Sequence, residues 1–392
     1  MLGLLVISAS APPVGGAGTI RMAKFVKYLP EFGYQPVIVS LDEGYFKRAY
    51  IDESLLDDVR EATIYRLSPS IDNISSIGKP LRNLRYLRLA KRAFRENRID
   101  IIFSTHPLPT AHLVALRLKQ GFGIPWVADF RDGFLSHPFY SAPFWRRRYD
   151  ARLEQSIAEN ADVILTATRG IADYFISRYD IAGKVVFIPN GFDPDDFGDK
   201  GLGHSGKFSM LYTGTISRTM RADNLLLAVS KLKKENVITA DNFEALFVGQ
   251  TTDEFSRLVK KENLGEIVKS LSPRPHSEIC RVMEQASAFL LMVPDCRSCV
   301  QVLTSKLFEY IGARRPIFAL LPEKNEAKEL IEKYNLGIVA RCGDVADIAD
   351  TLSKMIESCE FSPDPKVYER FNRKNQAKRL ADIFGYLIEG GR

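Results

Sequence analysis

The chain has 392 residues, 45% hydrophobic and 26% charged, which suits an ordinary globular protein of about two domains and excludes fibrous or low-complexity classes. Lys and Arg total 54 against 48 Asp and Glu, and a net charge of +6 is too small an excess to argue for nucleic acid as a partner. The five cysteines, Cys280, Cys296, Cys299, Cys342 and Cys359, are odd in number and scattered, so no disulfide framework is expected and a reducing compartment is favoured.

From the N-terminus, residues 2–7 form a short apolar run followed by Ala9-Ser10-Ala11, which mimics a signal peptide. No basic segment precedes it, and it feeds a Gly-rich loop and an amphipathic pattern, so a strand is the expected reading. No segment approaches the length needed to span a bilayer, and a cytoplasmic protein is expected. Strands are predicted at 4–8, 36–39, 101–104, 126–129, 163–166 and 185–188, with helices near 19–32, 81–96, 110–119, 147–160 and 170–178. After Pro189-Asn190-Gly191 the periodicity stops, and 193–206 is acidic and Gly-rich, as an inter-domain linker would be. The alternation restarts with strands at 208–212, 245–248, 267–271, 288–292 and 316–320 and helices at 223–234, 253–262, 277–285 and 305–312. A long amphipathic pattern over 364–388 ends the chain. The expected architecture is α/β, with two Rossmann-like doubly wound parallel-sheet domains at 1–190 and 207–363, a linker at 191–206 and a terminal helical segment at 364–392.

Ligands of open parallel sheets bind beyond the carboxyl ends of the strands, and three loops stand out by that rule. Gly15-Gly16-Ala17-Gly18-Thr19 opens the first helix, where glycines permit close approach and free N–H groups favour an anion. It does not match the G-x-G-x-x-G dinucleotide fingerprint, and a turn that simply needs glycine is the alternative. Thr304-Ser305-Lys306 opens a second helix with a cap and a cation, and Glu309 follows one turn later. A diphosphate with ribose hydroxyls suits this set; a capped surface helix with a solvated Lys–Glu pair is the other reading. The third region joins Ser104-Thr105-His106-Pro107 to Asp129-Phe130-Arg131-Asp132, both at strand ends of the first domain. His106 is suited to orienting a sugar hydroxyl, and the Arg131–Asp132 pair to fixing a polar substrate, so these three are the candidate catalytic residues. His112, His137, His204 and His276 show no metal-ligand spacing, and Cys296 and Cys299 form one C-x-x-C without the second pair of a zinc site.

Together these pieces resemble the GT-B glycosyltransferases, in particular retaining glycosyltransferase family 4, nearly end to end. The motifs are the early Gly-rich loop, Ile188-Pro189-Asn190-Gly191-Phe192-Asp193, Tyr212-Thr213-Gly214-Thr215, and Ser305-Lys306-Leu307-Phe308-Glu309-Tyr310 running to Arg315-Pro316-Ile317. The resemblance implies two domains facing across a cleft, a terminal helix returning to the first domain, and a nucleotide-diphosphate sugar donor, UDP-sugar being favoured. It assigns Glu309 to the ribose, Ser305 and Lys306 to the pyrophosphate or sugar, His106 to the transferred sugar, and Gly15, Gly16 and Gly214 to the diphosphate's surroundings. The family's first glutamate is replaced by Gln301, which leaves the sugar preference open, and Arg218 and Arg221 are the cations nearest the family's diphosphate ligands. Retention at the anomeric carbon is implied. No D-x-D stands at a strand end, so no metal and no cofactor are expected.

Arg82, Arg85, Arg88, Arg92 and Arg95 recur at helical spacing opposite Tyr86, Ala90, Ala93 and Phe94, and Trp145, Arg146 and Arg147 form a second basic and aromatic cluster. Both are expected to face an anionic membrane, in a peripheral enzyme acting on a lipid-linked or other glycan acceptor; a solvated helix face or a soluble anionic acceptor are the alternatives. A sugar-nucleotide epimerase of the same plan and a non-catalytic carbohydrate-binding relative are the rival functions.

Overall fold

The structure, a computed structural model, describes all residues except 48, 70–77, 106–108, 138, 199–205, 297–298, 359–360 and 391–392, and it leaves the side chains at 78, 79 and 301 undescribed. Two compact units divide the chain, one comprising 1–190 and 373–392, the other 191–372.

The first unit holds a seven-stranded parallel sheet of β1 (Leu2–Ser8), β2 (Tyr34–Leu41), β3 (Thr63–Leu67), β4 (Ile101–Thr105), β5 (Trp126–Phe130), β6 (Val163–Thr166) and β7 (Val185–Phe187), in the order 3-2-1-4-5-6-7. Runs such as Leu4-Leu5-Val6-Ile7 are apolar throughout because helices cover both faces of the sheet. On one face Ile7, Val39, Trp126 and Phe130 meet Tyr86 of α2 (Gly78–Glu96) and Phe175 of α5 (Arg169–Tyr179). On the other face Val6 and Phe103 meet Phe25 of α1 (Ala17–Tyr28) together with Leu380 and Phe384 of α13 (Arg373–Gly390). The remaining helices of this unit are α3 (Pro109–Phe122) and α4 (Phe144–Asn160). Strand order reverses between β1 and β4, and such a switch point is where doubly wound folds open a ligand crevice.

The second unit repeats the plan with β8 (Phe208–Thr213), β9 (Phe243–Val248), β10 (Val268–Leu271), β11 (Ala288–Met292), β12 (Ile317–Leu321) and β13 (Gly337–Arg341), ordered 10-9-8-11-12-13. Helices α6 (Asp223–Lys234), α7 (Asp253–Lys261) and α11 (Val345–Glu357) close one core around Leu226, Phe247 and Leu352. Helices α8 (His276–Gln285), α9 (Ser305–Gly312), α10 (Glu326–Lys333) and α12 (Lys366–Phe371) close the other around Phe289, Phe308 and Phe371. Its switch point lies between β8 and β11, next to the loops after both strands.

Three expectations are corrected. The amphipathic pattern over 364–388 is two helices, because Asn372 takes an extended conformation (φ −68°, ψ 124°); α12 belongs to the second unit and α13 to the first. The start of the expected linker is core: Phe192 and Asp193 are buried, and Phe192 and Phe197 press so closely on Gly312 that a methyl there would overlap both rings. An irregular loop packs without periodicity, which is why the pattern read as linker. Cys296 and Cys299 are joined as a disulfide, within a chain where none was expected. Strand β3 and the elements of 326–357 lack a strong enough local pattern to have been anticipated.

Candidate functional site

In the second unit, β8 is followed at once by Gly214, whose φ of 134° few side-chain-bearing residues adopt. The next strand is likewise followed by Gly249 (φ 146°), where a Cβ would strike the Gly214 carbonyl. Two glycines therefore let two loops touch backbone to backbone. A Cβ on Gly214 would in turn strike Cε of Lys306 and stand 2.9 Å from its Nζ, so the ammonium lies directly over this glycine turn.

Lys306 occupies the first turn of α9, whose leading N–H groups have no partner within the helix. Its N-cap Thr304 makes no capping bond, and the Thr304 hydroxyl is buried without a partner among the described residues. The lysine is half-buried, its Nζ 5.5 Å from the Tyr212 ring centroid, and burial pulls its pKa below the ordinary value while Glu309 opposes the shift. Tyr310, fully buried, takes the Thr213 N–H at 3.2 Å and so ties the end of β8 to α9. Cation, free N–H groups and two glycine turns together make a cradle for a polyanion. Ser305 begins this helix, and Glu309 stands one turn on, partly exposed.

The two arginines differ. Arg218 is exposed and lines a 260 Å³ pocket with Ile216, Ser217, Thr252 and Glu254. Arg221 borders the same pocket but is ion-paired to Asp223 at the start of α6, so its assignment as a diphosphate ligand is weakened by a committed charge. Gln301 closes a short 3-10 turn, and its side chain is outside the described residues.

In the first unit, Gly15 donates its N–H to Tyr50 at 2.8 Å, and Gly16 (φ 113°) caps α1 with open space where a Cβ would stand. A Cβ on Gly18 would lie 2.8 Å from Cζ of Arg131, so that guanidinium covers the first turn of α1. Arg131 pairs with Asp132 at 2.7 Å, and its Nε is buried without a partner among the described residues. His106 lies outside the described residues.

Two neighbours of these candidates are structural. Asp129 is clamped by Arg21 at 2.9 Å and by the Thr105 hydroxyl at 2.8 Å, with Arg21 also donating to the carbonyls of Ile188 and Pro189. His112 touches Ser104 at 2.8 Å, and burial pushes its pKa down to about 3 against the pull of Asp129, so it stays neutral.

Of the expected membrane face, Arg88, Arg92 and Arg95 are exposed, with Arg92 paired to Glu96 at 2.8 Å. Arg82 and Arg85 do not join that stripe: Arg82 lies over the Tyr45 ring and Arg85 donates to the Ser68 carbonyl at 3.0 Å, both half-buried. The start of α4 projects further. Phe144 and Trp145 are 74% and 71% exposed beside exposed Arg147, while Arg146 turns back to Asp150 at 2.9 Å.

His276 also departs from expectation. It stands one helical turn from Cys280 on α8, with its Nε2 3.0 Å from Asp196 and 3.8 Å from the Cys280 thiol. Only the i, i+4 spacing hinted at this in the sequence; Asp196 is 80 residues away.

Two doubly wound parallel sheets, each with helices on both faces, define an α/β protein of the two-domain, Rossmann-like GT-B class. A family described as Glycosyltransferase Family 4 matches residues 14–196, and one described as Glycosyl transferases group 1 matches residues 195–377. The chain belongs to the GT-B glycosyltransferases of the family 4 kind. Among solved structures it is similar to HepE of Anabaena in complex with UDP and glucose (16% identity, 100% of this chain and 98% of that one, TM-score 0.65). It is also similar to the lipopolysaccharide outer core galactosyltransferase WaaB (14%, 100% of both chains, 0.63) and to a UDP-N-acetylglucosamine 2-epimerase (13%, 100% and 97%, 0.62). At these identities the likeness is one of fold. No functionally curated sequence matches the chain.

Proposed function

We propose that the protein transfers a sugar from a UDP-sugar to a hydroxyl of a glycan or lipid-linked acceptor, with retention, in the synthesis of a cell-surface polysaccharide or glycolipid. The observation that carries this reading is the Lys306 ammonium lying over the Gly214 turn at the N-terminus of α9. A departing diphosphate accumulates negative charge, and a fixed cation with preorganised N–H donors stabilises that charge without a metal. Glu309, one turn along the same helix, is assigned to accept hydrogen bonds from ribose hydroxyls. Ser305 and Arg218 add donors, and Gln301 supplies a neutral partner for the sugar. In the first unit Gly16 and the N-terminus of α1 with Arg131 form a second anion-attracting surface, and Gly15, Asp132 and His106 are assigned to the same acceptor-side region on the family resemblance. UDP is favoured because HepE, of the same fold, was solved with it. The exposed Phe144, Trp145 and Arg147 support docking to an anionic membrane where a lipid-linked acceptor resides. A cytoplasmic setting, peripheral to the membrane, suits such a donor.

The deciding experiment offers labelled UDP-sugars with membrane extract as acceptor source and follows the label. Transfer to the extract, α-linked from an α-linked donor and seen with no divalent ion added, supports the reading. Release of a free epimer would assign an isomerase. Failure of every nucleoside diphosphate to raise the melting temperature would leave a non-catalytic relative.

A further inference from the structure

Asp196, His276 and Cys280 bring three different metal-ligating groups to one point in the second unit, each offering an atom within 4.8 Å of the other two. His276 and Cys280 are four residues apart on α8, so helical geometry stacks them on one face. Asp196 closes the short 3-10 turn of Pro194–Asp196 near the start of this unit. The separations, 3.0 Å from imidazole to carboxylate and 3.8 Å from imidazole to thiol, are close to those a tetrahedral ion imposes. With bonds of about 2.0 Å to N or O and about 2.3 Å to S, neighbouring ligand atoms stand roughly 3.3–3.7 Å apart. His276 and Cys280 are almost fully buried and the Asp196 side chain is 18% exposed, so the point is dry but reachable.

We propose that these three residues form a structural site for a zinc-type divalent ion that pins the Pro194–Asp196 turn to α8. A carboxylate, an imidazole and a thiolate suit zinc or cobalt and not magnesium or calcium, which take oxygen ligands alone. The fourth position falls to water. On binding, the thiol proton leaves to solvent, and lone pairs of the sulfur, the imidazole nitrogen and the carboxylate form the bonds to the ion.

The test is titration of the metal-free, full-length protein with cobalt(II), whose thiolate complexes absorb by sulfur-to-metal charge transfer. One equivalent binding with that band, retained in Cys342→Ser, lost in Cys280→Ser and weakened about 100-fold in Asp196→Asn, supports the site. Absence of saturable binding, or an unchanged band in Cys280→Ser, overturns it. Should Cys280→Ser fail to fold, Asp196→Asn decides alone: zinc must raise the melting temperature of the wild type and leave that variant unmoved. None of these readouts involves sugar transfer, so the outcome is independent of the proposed activity.

Discussion

Lys306 carries two opposed demands. Binding an anion requires its charge, and burial without an acceptor penalises that charge, which is why its pKa falls below the ordinary 10.5. A group whose folded pKa is depressed in this way binds fewer protons folded than unfolded. Its penalty is full below the folded pKa and fades as pH rises toward 10.5. Lys306→Met is therefore expected to exceed the wild type in denaturant midpoint at pH 7, the gap closing as pH climbs, while kcat/KM for the donor falls about 100-fold or more. A variant less stable than the wild type at neutral pH would remove the anion-cradle reading of this lysine. Arg21 shows the contrary case, a buried cation whose partners are all protein atoms. Arg21→Met leaves Asp129 charged and buried, and about 3–5 kcal/mol of unfolding free energy should be lost.

At the scale of elements, the Gly214 and Gly249 turns decide how closely β8 and β9 deliver their loops to α9. Gly249→Ala combines a positive φ with a Cβ that strikes the Gly214 carbonyl, and a cost of about 1–3 kcal/mol is expected. Because that displacement reaches the turn beneath Lys306, donor KM should rise more than acceptor KM, which initial-rate kinetics separate. The start of α4 makes a different prediction. Phe144 and Trp145 have no core to fill, and Arg147 has no described partner, so the double change Trp145→Ser with Arg147→Glu should leave folding intact. Flotation with anionic vesicles at low salt should drop several-fold in this variant, and equal flotation of variant and wild type would refute membrane docking through α4.

For the molecule as a whole, the first unit is assembled from two distant stretches of chain. Residues 373–392 supply Leu380 and Phe384 to the core beneath α1, and Arg373 and Gln376 bond Asn190. Ending the chain at residue 372 should therefore destabilise the first unit by several kcal/mol through lost apolar burial. Trp126 and Trp145 are the two tryptophans and both belong to that unit, so tryptophan emission reports its unfolding selectively. Its midpoint should fall sharply on truncation, while donor binding to the second unit is retained by isothermal titration.

The alternation of short apolar runs with amphipathic stretches, and the run from Ser305 to Tyr310, were legible because both are written in local spacing: a buried parallel strand must be apolar at every residue, and a helix must repeat every 3.6. From these the chain itself determined two parallel-sheet domains and a helix opening at Ser305 with Lys306 in its first turn. Tertiary structure decided what spacing cannot encode. It made Asp129 a partner of Arg21, folded Arg82 and Arg85 back onto the protein, and turned the start of the expected linker into core against Gly312. It also carried Asp196 to His276 across 80 residues. Contacts between remote segments depend on where the sheet order places the strands, and no window of sequence contains both partners.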